Sequence, residues 1–218
     1  MDADNTLEEC PSEDDHRARS HFVRQLIQND TTSVEVPAAY MATPPRRIVQ
    51  FWNDVGLLPV DVRDCIDSWK KLERLGFELL FFDESSAREF ILNHFGSRYE
   101  RAFDRCYHPA MQSDYFRLCY ILMEGGCYVD ADDVYQGTEV EHLFSDGRLR
   151  IQPLCYDMST DEMISPSVFS KAGANTVNWI FYFNNNPLIA IHGHPVIERA
   201  LAYATTSLEQ APKGQLPE

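Results

Sequence analysis

The chain has 218 residues, with 34 acidic against 19 basic side chains and a formal charge of −15. At 44% hydrophobic and 12% aromatic, with 10 glycines and 12 prolines, it is too rich in core-forming residues to be disordered, collagen-like or coiled-coil. So acidic a chain lacks the basic stripe that phosphate neutralisation needs, which excludes nucleic acid as a partner, and no apolar run reaches the ~18 residues that cross a bilayer.

In chain order, residues 1–15 hold seven acids and no Lys or Arg, and read as a solvated arm in which like charges repel. Their start, MDADNTLEEC, is acidic where a signal or transit peptide is basic, so no targeting segment is expected. A short helix is possible over His16 to Gln28, and the breaker Pro44-Pro45 ends a 1–45 extension expected to be poorly ordered. The body from 46 to 207 then alternates. Ile48 to Trp52 is a first buried strand, and Val60 to Leu75 carries Val62, Ile66, Trp69 and Leu72 at helical spacing before Gly76. Phe77 to Phe82 is a second strand. Ser85 to Phe95 opens on an N-cap serine and closes at Gly96. Another helix is expected from about Gln112 to Glu124, stopped by Gly125-Gly126, and Cys127 to Val129 is a third strand. Arg148 to Pro153, Ile180 to Phe183 and Pro187 to Ile191 are shorter strand candidates, and Pro195 opens a closing helix to about Ser207. Residues 208–218 form a polar tail. Strand–helix alternation of this kind predicts an α/β domain with a mixed, mostly parallel sheet flanked by helices.

The six cysteines, at 10, 65, 106, 119, 127 and 155, include no CxxC and no Cys/His cluster with zinc spacing. Cys119 and Cys127 read as buried thiols, which favours a reducing compartment and a cytoplasmic location, free or peripheral to a membrane. The Asn29-Asp30-Thr31 triplet has the form of a glycosylation sequon, but nothing else reads as secreted.

The informative stretch is Met111 to Val134, MQSDYFRLCYILMEGGCYVDADDV. A second acidic block lies at 130–146, with six acids and no Lys or Arg; outside the two blocks 21 acids face 19 bases, a nearly neutral body. Asp130 and Asp132 flank Ala131 at the carboxyl edge of the predicted third strand. Alternate strand residues point the same way, and ligands of open α/β sheets bind at that edge. Two hard oxygen donors there suit Mg²⁺ or Mn²⁺ completed by phosphate oxygens. The bare pattern says little, because Asp2-Ala3-Asp4 repeats it in the arm. The helix before it is apolar from Tyr115 to Met123 except for Arg117, whose guanidinium must find a partner or a wet cleft. Asp114, three residues earlier on the same helical face, is that partner. The pair is either an internal salt bridge or part of a pocket, and the DxD reached through a Gly-Gly turn favours the pocket.

SDYFR–LCYILMEGGCYVDAD resembles the sugar-binding DXD region of glycosyltransferase family 32, which holds outer-chain mannosyltransferases, capsular polysaccharide enzymes and, more remotely, the large glucosylating toxins. RRIVQFW is similar to that family's first strand, and NNNPLIAIHGHPVIERAL to its Asn-containing strand and Gly-His-Pro helix start, so the resemblance spans 46 to 201. It implies a GT-A type fold and metal-dependent transfer from a UDP- or GDP-sugar, with anomeric configuration retained. The acceptor is a glycan, lipid or protein that the sequence does not identify, and polysaccharide biosynthesis is the implied setting. Asp114, Arg117 and Ser113 would bind the donor sugar, and Trp52, Tyr128 and Asp130 the nucleotide, with Asp130 and Asp132 on the metal. For Trp52 the alternative is a core aromatic, for Ser113 a helix cap, and for Tyr128 a plain strand tyrosine. Asp133 lies outside the pattern and is expected on the opposite face, at the surface. His194 is expected to cap a helix. No catalytic nucleophile is visible.

Two rivals remain. Family members continue past the Gly-His-Pro helix where this chain ends in QAPKGQLPE, which raises the reading of a degenerate sugar-nucleotide-binding or interaction domain. A haloacid-dehalogenase-type phosphatase also has a strand ending in DxD, but it needs a downstream Lys and acidic pair for which this chain offers only Lys171, Lys213 and acids in a polar loop.

Overall fold

A computed structural model of the chain describes residues 13–29 and 42–211. The first twelve residues with Asp2-Ala3-Asp4 and Cys10, the sequon's Asp30 and Thr31, and residues 212–218 with Lys213 lie outside the described residues. The chain divides into two compact units, one of residues 35–152 and 185–217, the other of residues 1–34, 153–184 and 218.

The larger unit contains β1 (Arg47–Phe51), α2 (Val60–Trp69), β2 (Glu78–Phe82), α3 (Glu84–Phe95), α4 (Ser97–Phe103), α5 (Pro109–Glu124), β3 (Gly126–Tyr128) and α7 (Pro195–Gln210). It also holds the end of β6 (Trp179–Ala190). Its sheet runs β2-β1-β3-β6. β1 pairs parallel with β2 and β3, and β3 pairs antiparallel with β6. The mixed, mostly parallel sheet expected from the alternation is therefore present.

Strand alternation sorts the core onto two faces. Val49, Phe51, Tyr128, Leu188 and Ala190 pack with α3, α5 and α7. Ile48, Cys127, Val129 and Ile189 pack on the other side with Leu72, Phe77 and Phe144. Burial pushes the Cys106 and Cys127 thiols up to about 12, so these read as apolar filling rather than nucleophiles. The five described cysteines are all free thiols.

The smaller unit contains α1 (Glu13–Gln28), the later part of β4 (Arg150–Asp157), β5 (Glu162–Met163), α6 (Pro166–Phe169) and the start of β6. Cys155, Phe169 and Phe181 form its core, with Val23 and Ile27 of α1 against them. The Phe181 amide donates to Ser20 Oγ at 3.0 Å, and Gln28 Nε2 donates to the carbonyls of Phe169 and Ala174 at 2.9 and 2.7 Å. The 1–45 segment expected to be poorly ordered thus holds a helix over 13–28 with tertiary packing. Four side chains of this helix, Ser20, Val23, Ile27 and Gln28, have tertiary partners, which a polar sequence average does not register.

Other boundaries moved for local reasons. α5 begins at Pro109, three residues early, because His108 Nδ1 caps the Ala110 amide. α3 is capped by Asp83, whose carboxylate and Ser86 form a reciprocal capping box, and not by Ser85. β6 is one strand where two were expected, since its Asn184–Asn186 run, poor in strand propensity, reads as a break. No helix among the described residues is long and apolar enough to cross a membrane.

Candidate functional site

The site begins where α5 ends. Gly125 has φ 70°, and a Cβ there would lie 2.8 Å from the His192 amide; Gly126 follows at φ 108°. Only glycine fits such left-handed, crowded positions. The chain reverses within these two residues, so β3 runs back along α5 and brings the Tyr128 hydroxyl to 2.7 Å from Ser113 Oγ.

Arg117 is the hub. Its side chain is 4% exposed, yet every nitrogen is engaged. Nη2 lies 2.8 Å from Asp130 Oδ1, 3.1 Å from Asp114 Oδ1 and 3.0 Å from Ser113 Oγ. Nη1 donates to Asn185 Oδ1 at 2.8 Å and to the Asn185 carbonyl at 3.1 Å, and Nε to the Ser113 carbonyl at 3.4 Å. The guanidinium lies over the Tyr128 ring, 4.5 Å from its centroid. The expected Asp114–Arg117 pair is formed, and Asp130 joins it. Each Arg117 nitrogen has a protein acceptor. The open member is Asp114, 55% exposed, which also accepts from Asn185 Nδ2 at 3.2 Å.

Tyr128 is wholly buried, with the Arg117 guanidinium over its ring. Burial raises its phenol well above the ordinary value, against the lowering pull of Arg117, which keeps it a neutral partner for Ser113. Ser113 is interior to α5 and caps nothing.

The DxD is not on the strand. β3 ends at Tyr128, and the Asp133 amide donates to the Asp130 carbonyl at 3.1 Å, so Asp130–Asp133 is a turn. Strand alternation therefore does not set the directions of Asp130 and Asp132. The turn is held at both ends instead: Gln50 Nε2 donates to the Asp130 carbonyl at 3.3 Å and Trp69 Nε1 to the Asp133 carbonyl at 2.8 Å. Asn186 spans them, accepting from the Asp130 amide at 3.0 Å and donating to Asp133 Oδ2 at 2.7 Å. Asp132, between them, is exposed. Asp133 is at the surface as expected, but its carboxylate is tied into the same turn.

Burial pushes the Asp130 carboxyl above its usual value, Arg117 pulls it down, and Asp132, Asp133 and Asp114 raise it again. A crowd of carboxylates with one engaged cation is short of positive charge. Hard oxygens in such a cluster fit Mg²⁺ or Mn²⁺. Among the described residues, no three His, Cys, Asp or Glu side chains converge closely enough to hold an ion alone. A divalent ion there would need oxygens from a bound ligand as well.

Trp52 follows β1, half-buried, with its amide donating to the Phe82 carbonyl at 3.0 Å. Because β1 and β3 are parallel, Trp52 and the Asp130 turn share the carboxyl edge of the sheet. His194 caps α7 through Nδ1, accepting from the Val196 amide, as expected. Among the cluster's residues with no role expected from the sequence are Asn185 and Asn186. Their signal was three successive asparagines in a strand, a costly choice without a polar task.

Residues 59–144, under half of the chain, match the family described as glycosyltransferase sugar-binding region containing DXD motif. No curated protein matches. The solved structure of PaToxG glycosyltransferase is similar at 15% identity and a TM-score of 0.49, over 91% of this chain and 72% of that one.

Proposed function

We propose that the chain is a glycosyltransferase that binds a UDP- or GDP-sugar with a divalent cation at the carboxyl edge of β1 and β3. The observation that supports this reading is the Asp114–Arg117–Asp130 cluster, lying inside the matched sugar-binding region. The proposed roles follow from exposure. Asp114 accepts hydrogen bonds from donor-sugar hydroxyls, since it alone of the pair is open. Arg117 fixes Asp114 and Asp130 in place and offsets their charge. Trp52 stacks on the base, and Ser113 with Tyr128 braces the floor.

Asp130 and Asp132 would hold Mn²⁺ or Mg²⁺, which when bound supplies the positive charge that a departing nucleoside diphosphate needs. The acidic 130–146 block is compatible with an anionic donor only on that condition. Retention of anomeric configuration rests on the family resemblance. The acceptor stays open to glycan, lipid or protein.

A thermal-shift and calorimetric screen of UDP- and GDP-sugars, with Mn²⁺ or with EDTA, tests the reading. One nucleotide sugar should bind more tightly than its own nucleoside diphosphate, and only with metal. If none stabilises the protein, the proposal is wrong. Binding without slow metal-dependent hydrolysis would favour the non-catalytic binding domain.

A further inference from the structure

The Asn186 side chain touches both ends of the Asp130–Asp133 turn with its two amide groups. Its Oδ1 accepts from the Asp130 amide at 3.0 Å and its Nδ2 donates to Asp133 Oδ2 at 2.7 Å. The turn's own Asp133-to-Asp130 hydrogen bond, 3.1 Å, closes the ring between those contacts. Asn186 is half-buried on β6, whose register is fixed next to it by the pairing of Leu188 with Tyr128. Neighbouring Asn185 spends its side chain on Arg117 and Asp114. Two successive residues of one strand thus serve the two halves of the site, one the helix pair and the other the DxD turn.

We infer that Asn186 is a positioning residue, a clasp that holds the turn in the shape presenting Asp132. The chemistry demands an amide. A donor must face Asp133 and an acceptor must face the Asp130 amide, and an aspartate at 186 would set two carboxylates against each other. Roughly a third to a half of four-residue turns lack the closing backbone bond, so a single such bond is a weak constraint and a second one matters here. The link to ligand binding rests on the proposed function; the clasp itself does not.

Two readouts keep these apart in the full-length protein. The first is amide hydrogen exchange of the 130–134 segment, which needs no ligand. The second is Mn²⁺ affinity measured by electron paramagnetic resonance, with UDP present. Asn186→Asp, isosteric with the native side chain, should speed exchange in the turn at least tenfold and leave α5 exchange unchanged. Mn²⁺ affinity should fall by about tenfold. The exchanged pair, Asn186→Asp with Asp133→Asn, restores one donor facing one acceptor at unchanged net charge, and should recover both readouts. Unchanged turn exchange in Asn186→Asp, or no recovery of exchange in the exchanged pair, overturns the clasp. Fast exchange with unaltered Mn²⁺ affinity overturns the positioning role. If the parent protein binds no Mn²⁺ at all, the proposed function and with it the positioning role fall, while exchange still decides the clasp.

Discussion

Arg117 shows how a single buried charge holds a polar cluster together. Buried among Asp130, Asp114, Ser113 and Asn185, it holds two carboxylates whose mutual repulsion would otherwise spread them. Removing it leaves Asp130 partly buried and unpaired, so Arg117→Met should cost roughly 3–5 kcal/mol of stability in urea unfolding. Arg117→Lys keeps the charge but loses the planar fork, and should be intermediate. Asp114→Asn should behave differently. The side chain is exposed, so stability should change by under about 1 kcal/mol, while preference for nucleotide sugar over free nucleotide drops about tenfold. Equal preference in parent and Asp114→Asn would remove Asp114 from the sugar site. The Asp114–Arg117 half of this cluster was legible because helical spacing of three puts the pair on one face. Asp130 and Asn185 were not paired with it in advance. Those contacts depend on a reversal at Gly125 and on a strand 68 residues away in sequence.

At the scale of elements, helix ends were the most readable features and strand continuity the least. Gly76, Gly96 and Gly125 stop helices where expected, since a positive φ has a residue signature. β6 was read as two pieces because asparagine is a poor strand former, and only its tertiary hydrogen bonds justify it there. Gly125→Ala tests the reversal. It adds both left-handed strain and a Cβ 2.8 Å from the His192 amide, so it should destabilise by more than about 2 kcal/mol and displace β3. Gly76→Ala, with nothing within 4 Å of the added carbon, should cost only the strain of φ 79°, roughly 1 kcal/mol. Asp83 carries a pH prediction. Hydrogen bonds from the Ser86 hydroxyl and amide hold its carboxyl below the usual value. Its contribution is therefore present above the ordinary carboxylate range and lost as the pH falls through the lowered value. Asp83→Ala should cost about 1 kcal/mol at neutral pH, and the difference from the parent should shrink as the pH falls below the ordinary carboxylate range.

For the whole molecule, charge and unit organisation together set the clearest test. The docking of α1 is not legible in the sequence, because Val23, Ile27 and Ser20 meet partners far along the chain, such as Phe181, and no local pattern marks that. A single unfolding midpoint is then not a safe measure for the chain, and a reporter confined to the larger unit is needed. Trp52 and Trp69 lie in that unit and Trp179 in the other, so Trp179→Phe leaves indole fluorescence that reads the candidate site's unit alone. In that background a divalent ion and nucleotide that bind only the folded state should raise stability by about 2.7 kcal/mol at a hundred times their dissociation constant. For a chain of this size, ~1 kcal/mol corresponds to about 2–4 °C, so the midpoint should rise by roughly 5–11 °C with Mn²⁺ and the donor. Asp132→Ala should abolish the rise while leaving the ligand-free midpoint within about 1–2 °C, because an exposed carboxylate on a turn contributes little to folding. EDTA should reproduce the Asp132→Ala result in the parent. A full Mn²⁺-dependent rise in Asp132→Ala would place the cation elsewhere on this acidic surface and end the case for the DxD turn as its seat.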